Sequence, residues 1–552
     1  MSKKQTENSA PVTPVKMPLP ITSLKMAVIC ACIFFLIQLI GICHHSTWRD
    51  EFQAFQIAMN SHSITNLFFN MRQEGHGALW YLILYTITRF TNNIFAMQVV
   101  HIIIASASIF VLFRYAPFSL FEKVLISLGY FFFFEYAQVS REYSLGLFFI
   151  ICICSVMGEK YYKRKSQGLP FTPSLFYIIS LLLTLLSDTS LFGLIISIAL
   201  ASYFLLCFWD ERTLIISNIK LKRALAFSVL ILLTGWGFSI LQMSPPADNS
   251  FLGPYHPTLQ LSHTGNVLTQ LMAAYFPFPT LESPFWNTYY ILADRTIPLT
   301  AISLIVMVII IFSFVKKPKL VLLYSISILG LVAFMLYSDI LVASRFIGHS
   351  FLVLFICFWF ERYVPSNQKL FRFIPDSIIN GLRKSLFYLI LTIQAVTGLF
   401  FYYLGLTEPF TNCTKAGEYV VQHHLDRFPV IGADDFVVCP LSYYTKKPIF
   451  TFNRNDTSRF VIWDIKRCTT ITLKDVANMM VSQINKSPKD TCLLCMNVMI
   501  QCNNNLYAAF ADCTIDSNHS LKFINKVDDP SMVPDDNYYF YYIWKKDKQQ
   551  GF

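Results

Sequence analysis

The stretch KMAVICACIFFLIQLIGICHHSTWRDEF, residues 25–52, decides the class of fold. Residues 26–43 carry no charged side chain, and as an α-helix they rise about 27 Å, close to the ~30 Å of bilayer hydrocarbon. The run then breaks into a polar segment that ends on two adjacent acids, Asp50 and Glu51. Apolar runs of this kind recur as far as Leu404. Across all 552 residues 54% are hydrophobic and 14% charged, and 52 are Phe. Soluble domains carry about 25% charged residues, so this chain needs lipid as its solvent. The polar, Pro-containing Met1–Lys25 is expected to be disordered. It is not a cleavable signal, because no small-residue cleavage site follows the first apolar run.

The net charge of +11 is unevenly spread. Residues 405–552 hold 16 Lys and Arg against 16 Asp and Glu, so the excess lies between the apolar runs. Candidate spans are 26–43, 94–114, 121–138, 142–159, 172–187, 190–208, 224–242, 297–315, 320–337, 350–363 and 385–404. A shorter apolar stretch, 77–90, decides the sidedness of everything after it. If it does not cross, 22 Lys and Arg collect on one side, among them Lys160, Lys163, Arg164, Lys220, Lys316, Lys317 and Arg383. The loops of the other side before residue 405 then hold six: Arg49, Arg72, Arg89, Arg141, Arg295 and Arg345. That bias is the positive-inside pattern, and it argues against a nucleic-acid surface. It predicts 11 spans, an interfacial or re-entrant 77–90, a cytoplasmic N-terminus and an outward tail.

Three domains follow: a cytoplasmic N-terminus (1–25), a membrane domain (26–404) and an extracytoplasmic α/β domain (405–552). In the last, helices are expected near 414–425, 435–445 and 473–485. Strands are expected at 430–433, 448–452, 491–497, 520–527 and 538–544, with a further apolar element at 460–463. Seven of the 14 cysteines lie there (Cys413, Cys439, Cys468, Cys492, Cys495, Cys502, Cys513). Cys492-Leu-Leu-Cys495 lacks the second pair a zinc site requires, whereas disulfides suit an oxidising compartment.

Four polar clusters face outward together in this topology. Asp50 and Glu51 open an amphipathic helix, where acids also simply complement the helix dipole. Arg72-Gln-Glu74-Gly-His76-Gly-Ala-Leu-Trp-Tyr81 closes the same loop. Glu135-Tyr-Ala-Gln-Val-Ser-Arg141-Glu142-Tyr143 joins two apolar runs, either as a polar cap or as the lining of a wet cavity. Ser344-Arg345-Phe-Ile-Gly-His349 places an arginine and a histidine four apart, both able to donate to a phosphate. An acid able to take a hydroxyl proton, opposite cations able to hold an anionic leaving group, fits sugar transfer from a polyprenyl phosphate.

Taken in order over residues 25–405, these motifs resemble the GT-C membrane glycosyltransferases, in particular the branch of protein O-mannosyltransferases and lipid A aminoarabinose transferases and its bacterial members. The resemblance implies an all-α polytopic bundle, a polyprenyl-phosphate sugar donor and a first-loop acid as catalytic base, which falls on Asp50. Glu51 would support it, and Glu142 would stand for a second active-site acid. Glu74, His76, Arg141, Arg345 and His349 would bind substrate, the last two at the lipid phosphate. A divalent metal, if used, would draw on Asp50, Glu142 and His76. Two positions depart from the pattern: Gly77 stands where many relatives have Pro, and the second-turn acid is Glu142 beside Arg141, where Asp is usual.

The expectation is thus an inverting transferase acting on an extracytoplasmic protein, lipid or glycan, in a bacterial inner membrane. Four Asn-X-Ser/Thr sequons (Asn412, Asn455, Asn485, Asn518) would instead suit an endoplasmic reticulum membrane. The rival from another class is a transporter or lipid flippase, which places its charges nearer mid-span.

Overall fold

The computed structural model describes residues 22–250, 261–280, 285–288, 296–338, 343–467, 471–500, 513–533 and 536–546. The expected disorder of the N-terminus, residues 251–260, 281–284, 289–295 and 339–342, and the side chains of Cys468, Cys502 and Cys513 lie outside the described residues. Among the described residues, eight helices are long and apolar enough to cross a membrane: Leu24–His44 (α1), Phe95–Tyr115, Tyr143–Ser166, Leu191–Trp209, Ile219–Met243, Pro318–Tyr337, Ser344–Glu361 and Asp376–Thr407. Pro173–Ser187 and Leu299–Ser313 are shorter apolar helices at two further expected spans. The helix Ala78–Thr88 has 11 residues, about 16 Å, too short to cross.

The expected span 121–138 is not one helix. Leu120–Ser127 starts on a reciprocal cap, with the Ser119 hydroxyl accepting from the Glu122 N–H (3.2 Å) and the Glu122 carboxylate from the Ser119 N–H (2.6 Å). It stops before Gly129 and resumes as a π-turn, Phe131–Glu135. The long helix Asp376–Thr407 crosses at the break, where a Cβ on Gly398 would stand 2.2 Å from the Leu128 carbonyl oxygen. The interruption turns Glu135 and the following residues 136–141 into the bundle, where they are buried.

One end of the bundle is held by ion pairs. Lys317 and Arg383 both reach Glu361 (2.8 Å each), Arg362 reaches Glu122 (2.8 Å), and Lys316 reaches Asp376 (2.5 Å). Arg114 donates to the Thr22 carbonyl (2.9 Å), which places the start of α1 at this end too. The chain therefore brings the basic clusters of the sequence together, and α1 runs from them to the opposite end, where Asp50 lies.

The tail is an α/β domain on a seven-stranded sheet of order β3-β2-β1-β4-β7-β6-β5. Its strands are Val430–Gly432 (β1), Ile449–Thr451 (β2), Asp456–Ser458 (β3), Thr491–Met496 (β4), Cys513–Thr514 (β5), His519–Val527 (β6) and Tyr538–Lys545 (β7). β1 pairs parallel with β2 and β4, and the remaining pairings are antiparallel. Both faces are covered, as the alternation in β4 shows. Leu493 and Cys495 join the large core shared with the bundle, whereas Cys492 and Leu494 join a second core with Met480 and Ile484 of the helix Leu473–Lys486. Cys413, Cys439, Cys492 and Cys495 are buried and free. The expected helix 435–445 is two short ones, Asp435–Val438 and Leu441–Thr445, parted at Pro440, whose missing N–H cannot continue the ladder. Among the sequons, Asn412 is buried with its amide on the Asp529 carbonyl (2.9 Å), while Asn455, Asn485 and Asn518 are exposed.

Candidate active site

The site begins where α1 hands over to a second helix, α2, Arg49–Met59. Glu51 sits in its first turn and reaches back to the Trp48 N–H (2.7 Å), satisfying a donor that the helix start leaves open. Its other oxygen accepts the Ser140 N–H (2.7 Å), and His45 Nε2 lies 2.9 Å from the carboxylate. Glu51 is 0% exposed. Burial alone would raise its pKa, yet His45 and the two backbone N–H groups together hold it below the usual carboxylate range. This residue staples α2 to the turn 136–141.

Asp50 points the other way, its side chain 32% exposed. Its carboxylate lies 3.5 Å from Arg141 Nη1 and 3.6 Å from Arg345 Nη2. Arg141 is buried and fully engaged. It donates to the Asp50 carbonyl (3.0 Å), to Glu142 through Nε (3.0 Å) and Nη2 (3.3 Å), and to His76 Nε2 (2.9 Å). A guanidinium only donates, so His76 Nε2 is an acceptor and its proton sits on Nδ1, 3.3 Å from Glu142. Burial first, then the neighbouring guanidinium, lowers the His76 pKa against the pull of Glu142, in keeping with a neutral ring. Glu142 feels burial as its largest influence, but the charge and hydrogen bonds of Arg141 counter it, and its pKa is held down at about 2.

Arg345 opens the helix Ser344–Glu361. Its guanidinium lies over Trp48 (4.9 Å), Phe346 (4.7 Å) and Trp286 (5.6 Å), an aromatic frame that leaves its edge toward Asp50. Trp286 is fixed in turn by its Nε1–H to the buried Glu135 (2.9 Å), which also accepts from Tyr130 (2.7 Å). Half-buried Glu74 accepts from Gln53 Nε2 (2.8 Å) and lies 3.4 Å from the Tyr81 hydroxyl. Burial raises its pKa to about 7, against the lowering effect of Gln53 and Arg141.

Asp50, Glu142, His76, Arg141 and Arg345 therefore form one chain of contacts, with Glu74 joined through Gln53 on α2. His349 stands apart. Its ring stacks on Phe192 (5.0 Å) between Tyr143 and Tyr136, and its Nδ1 meets the Phe346 carbonyl (3.1 Å). The three candidate metal ligands do not fit an ion as they stand, because the Arg141 guanidinium lies between Asp50, Glu142 and His76. Among the described residues no group of three His, Cys, Asp or Glu is placed to hold one. Sequence reasoning passed over Gln53, Trp48, Trp286 and Glu135 as site residues. A glutamine in an amphipathic helix and a tryptophan in a loop have no local signature, but an acid between two apolar runs, Glu135, does.

No protein-family model matches the chain, and no curated protein does. Among solved structures it is similar to the crystal structure of ArnT from Cupriavidus metallidurans bound to undecaprenyl phosphate, at 11% identity and a TM-score of 0.41 over 94% of this chain and 98% of that one. So distant a likeness carries no residue's role across.

Proposed function

We propose that the chain is a membrane glycosyltransferase that moves a sugar from a polyprenyl phosphate to a hydroxyl on an acceptor outside the cytoplasm. The observation that supports this most is a half-exposed carboxylate, Asp50, set between two guanidiniums at the end of an apolar bundle opposite its basic clusters. A lipid-linked donor leaves its hydrocarbon in the bilayer and presents its phosphate and sugar at that surface. In the reaction the acceptor oxygen attacks the anomeric carbon as the carbon–oxygen bond to phosphate breaks. Asp50 takes the hydroxyl proton, and the configuration inverts. Arg345, the less occupied of the two cations, receives the departing phosphate with its planar fork. Arg141, saturated by Glu142, His76 and the Asp50 carbonyl, keeps the carboxylate in place. Glu74 and His76 line the sugar pocket, and His349 supports the helix that carries Arg345.

The test is direct. Purified protein in lipid nanodiscs is given polyprenyl phosphates carrying radiolabelled hexoses or pentoses, together with envelope extract as the acceptor source. Release of free polyprenyl phosphate with label passing to the acceptor is the expected result. A protein that moves labelled lipid between leaflets without cleaving it would be a flippase, and this reading would fall.

A further inference from the structure

Gln53 is one helical turn past Asp50 and buried, and both its amide oxygen and its amide nitrogen are engaged. Its oxygen accepts the Val461 N–H (2.8 Å), one N–H returns to the Val461 carbonyl (2.9 Å), and Nε2 also donates to Glu74 (2.8 Å). A flipped amide would set oxygen against both the carbonyl and the carboxylate, so the pattern fixes its orientation. A loop peptide of the C-terminal domain is thereby paired with a side chain of the helix that carries Asp50, as one strand pairs with another.

The neighbouring contacts extend the same seat. The Ser250 N–H donates to the Trp463 carbonyl (2.8 Å), and Asn249 bridges Asp464. Asn249 Nδ2 in turn reaches Gln73, the residue before Glu74 (2.7 Å to its side chain, 2.9 Å to its carbonyl). Further along α2, Gln56 donates to Ser442 (2.6 Å) and lies 3.2 Å from the Cys439 carbonyl. At its start, Arg49 lies over Phe436 (4.8 Å) and 3.6 Å from Asp536. Residues 461–464 thus grip both α2 and the loop that presents Glu74.

We infer that the C-terminal domain is part of the reaction centre, and that Gln53 is a positioning residue through which the seat of Val461 sets the place of Glu74. The inference rests on the transferase reading above. It gives the tail a role in turnover that a display domain would not have, since unseating residues 461–464 frees Gln53 and with it Glu74.

A double-mutant cycle on transfer tests it, using Gln53→Leu, Glu74→Gln and the pair. Gln53→Glu serves as a second variant that still accepts the Val461 N–H but cannot donate to Glu74. Each single variant is expected to lose about tenfold or more in kcat, the scale of one charge-assisted hydrogen bond, with donor KM within about twofold of wild type. The pair should be no slower than Glu74→Gln alone. Losses that multiply, or Gln53 variants with wild-type kcat, would overturn the coupling. Hydrogen exchange reads the seat without activity: the Val461 amide should be protected in the wild type and exchange at least about tenfold faster in Gln53→Leu. Unchanged protection would overturn the inference even if transfer is found. A protein with a protected Val461 but no transfer on any donor would instead overturn the transferase reading, and with it any role of the seat in turnover.

Discussion

Glu74 shows how a single residue reports on this site. Its pKa stands at about 7 because burial disfavours the carboxylate more than Gln53, Arg141 and Tyr81 favour it. A carboxyl with a raised folded pKa binds its proton more tightly in the native protein. The stability it contributes is full below the usual 4.5 and is lost as pH climbs through 7. Glu74→Gln does not titrate. Its melting temperature should therefore gain on the wild type between pH 5 and pH 8, measured by thermal unfolding in detergent, and parallel curves would mean that Glu74 is not held as described. Sequence placed this acid at the site because it closes the same outward loop as Asp50. It gave no sign of Gln53, since the partner of that amide lies 408 positions along the chain. Arg345 was legible as a positive residue on the wrong side for topology. Its aromatic frame was not, because Trp48 and Trp286 meet it only through the fold.

The elements of the site depend on a few close joints. Glu51 was expected to be a modest supporter of Asp50, yet it accepts from Trp48, Ser140 and His45 with no exposure to water. Glu51→Gln turns an amide N–H toward one of those donors. It should cost about 2–3 kcal/mol of stability, visible as a lower melting temperature before any assay of transfer. Gly77 is a second joint. A Cβ there would stand 1.7 Å from the Asp188 carbonyl oxygen, so Gly77→Ala must push apart the start of the helix Ala78–Thr88 and the residues after Pro173–Ser187. That explains why glycine, and no residue bearing a Cβ, stands at this position. Most elements were legible because apolar runs and strand alternation are local signals. One was misread and one left without a type, each for a physical reason. Within the span at 121–138, residues 124–134 carry no charge and run on across Gly129, which conceals the break at the close crossing of Gly398. The apolar element 460–463 had no assigned type, and its Val461 peptide pairs with a side chain of α2.

At the scale of the molecule, the basic clusters gather at one end and the candidate site at the other, with the tail seated on the site. The positive-inside rule predicts that the basic end is cytoplasmic and that the tail faces outward. In intact cells a membrane-impermeant maleimide should label a cysteine placed at the exposed Ser517 of the tail and spare one at the exposed Ser166 beside Lys163–Lys165. The reverse pattern would put Asp50 in the cytoplasm, away from any extracytoplasmic acceptor. That expectation comes from loop charge alone. How the tail joins the bundle was not readable there, because its contacts run through single polar side chains such as Arg49, Gln53 and Gln56, set in otherwise ordinary amphipathic sequence.

The central claim is that Asp50 removes the acceptor proton. Asp50→Asn keeps the size of the side chain and much of its hydrogen bonding beside Arg141 and Arg345, but it cannot take a proton at neutral pH. Transfer from a labelled polyprenyl phosphate sugar by this variant is the most direct measurement, made on protein shown to be folded by its unchanged melting profile. The predicted result is a fall in kcat of at least ~10²-fold with donor binding retained, the scale expected for loss of a general base. Turnover close to wild type in Asp50→Asn, with Glu74→Gln or Glu142→Gln inactive, would contradict the claim and move the base to another acid of the same cluster.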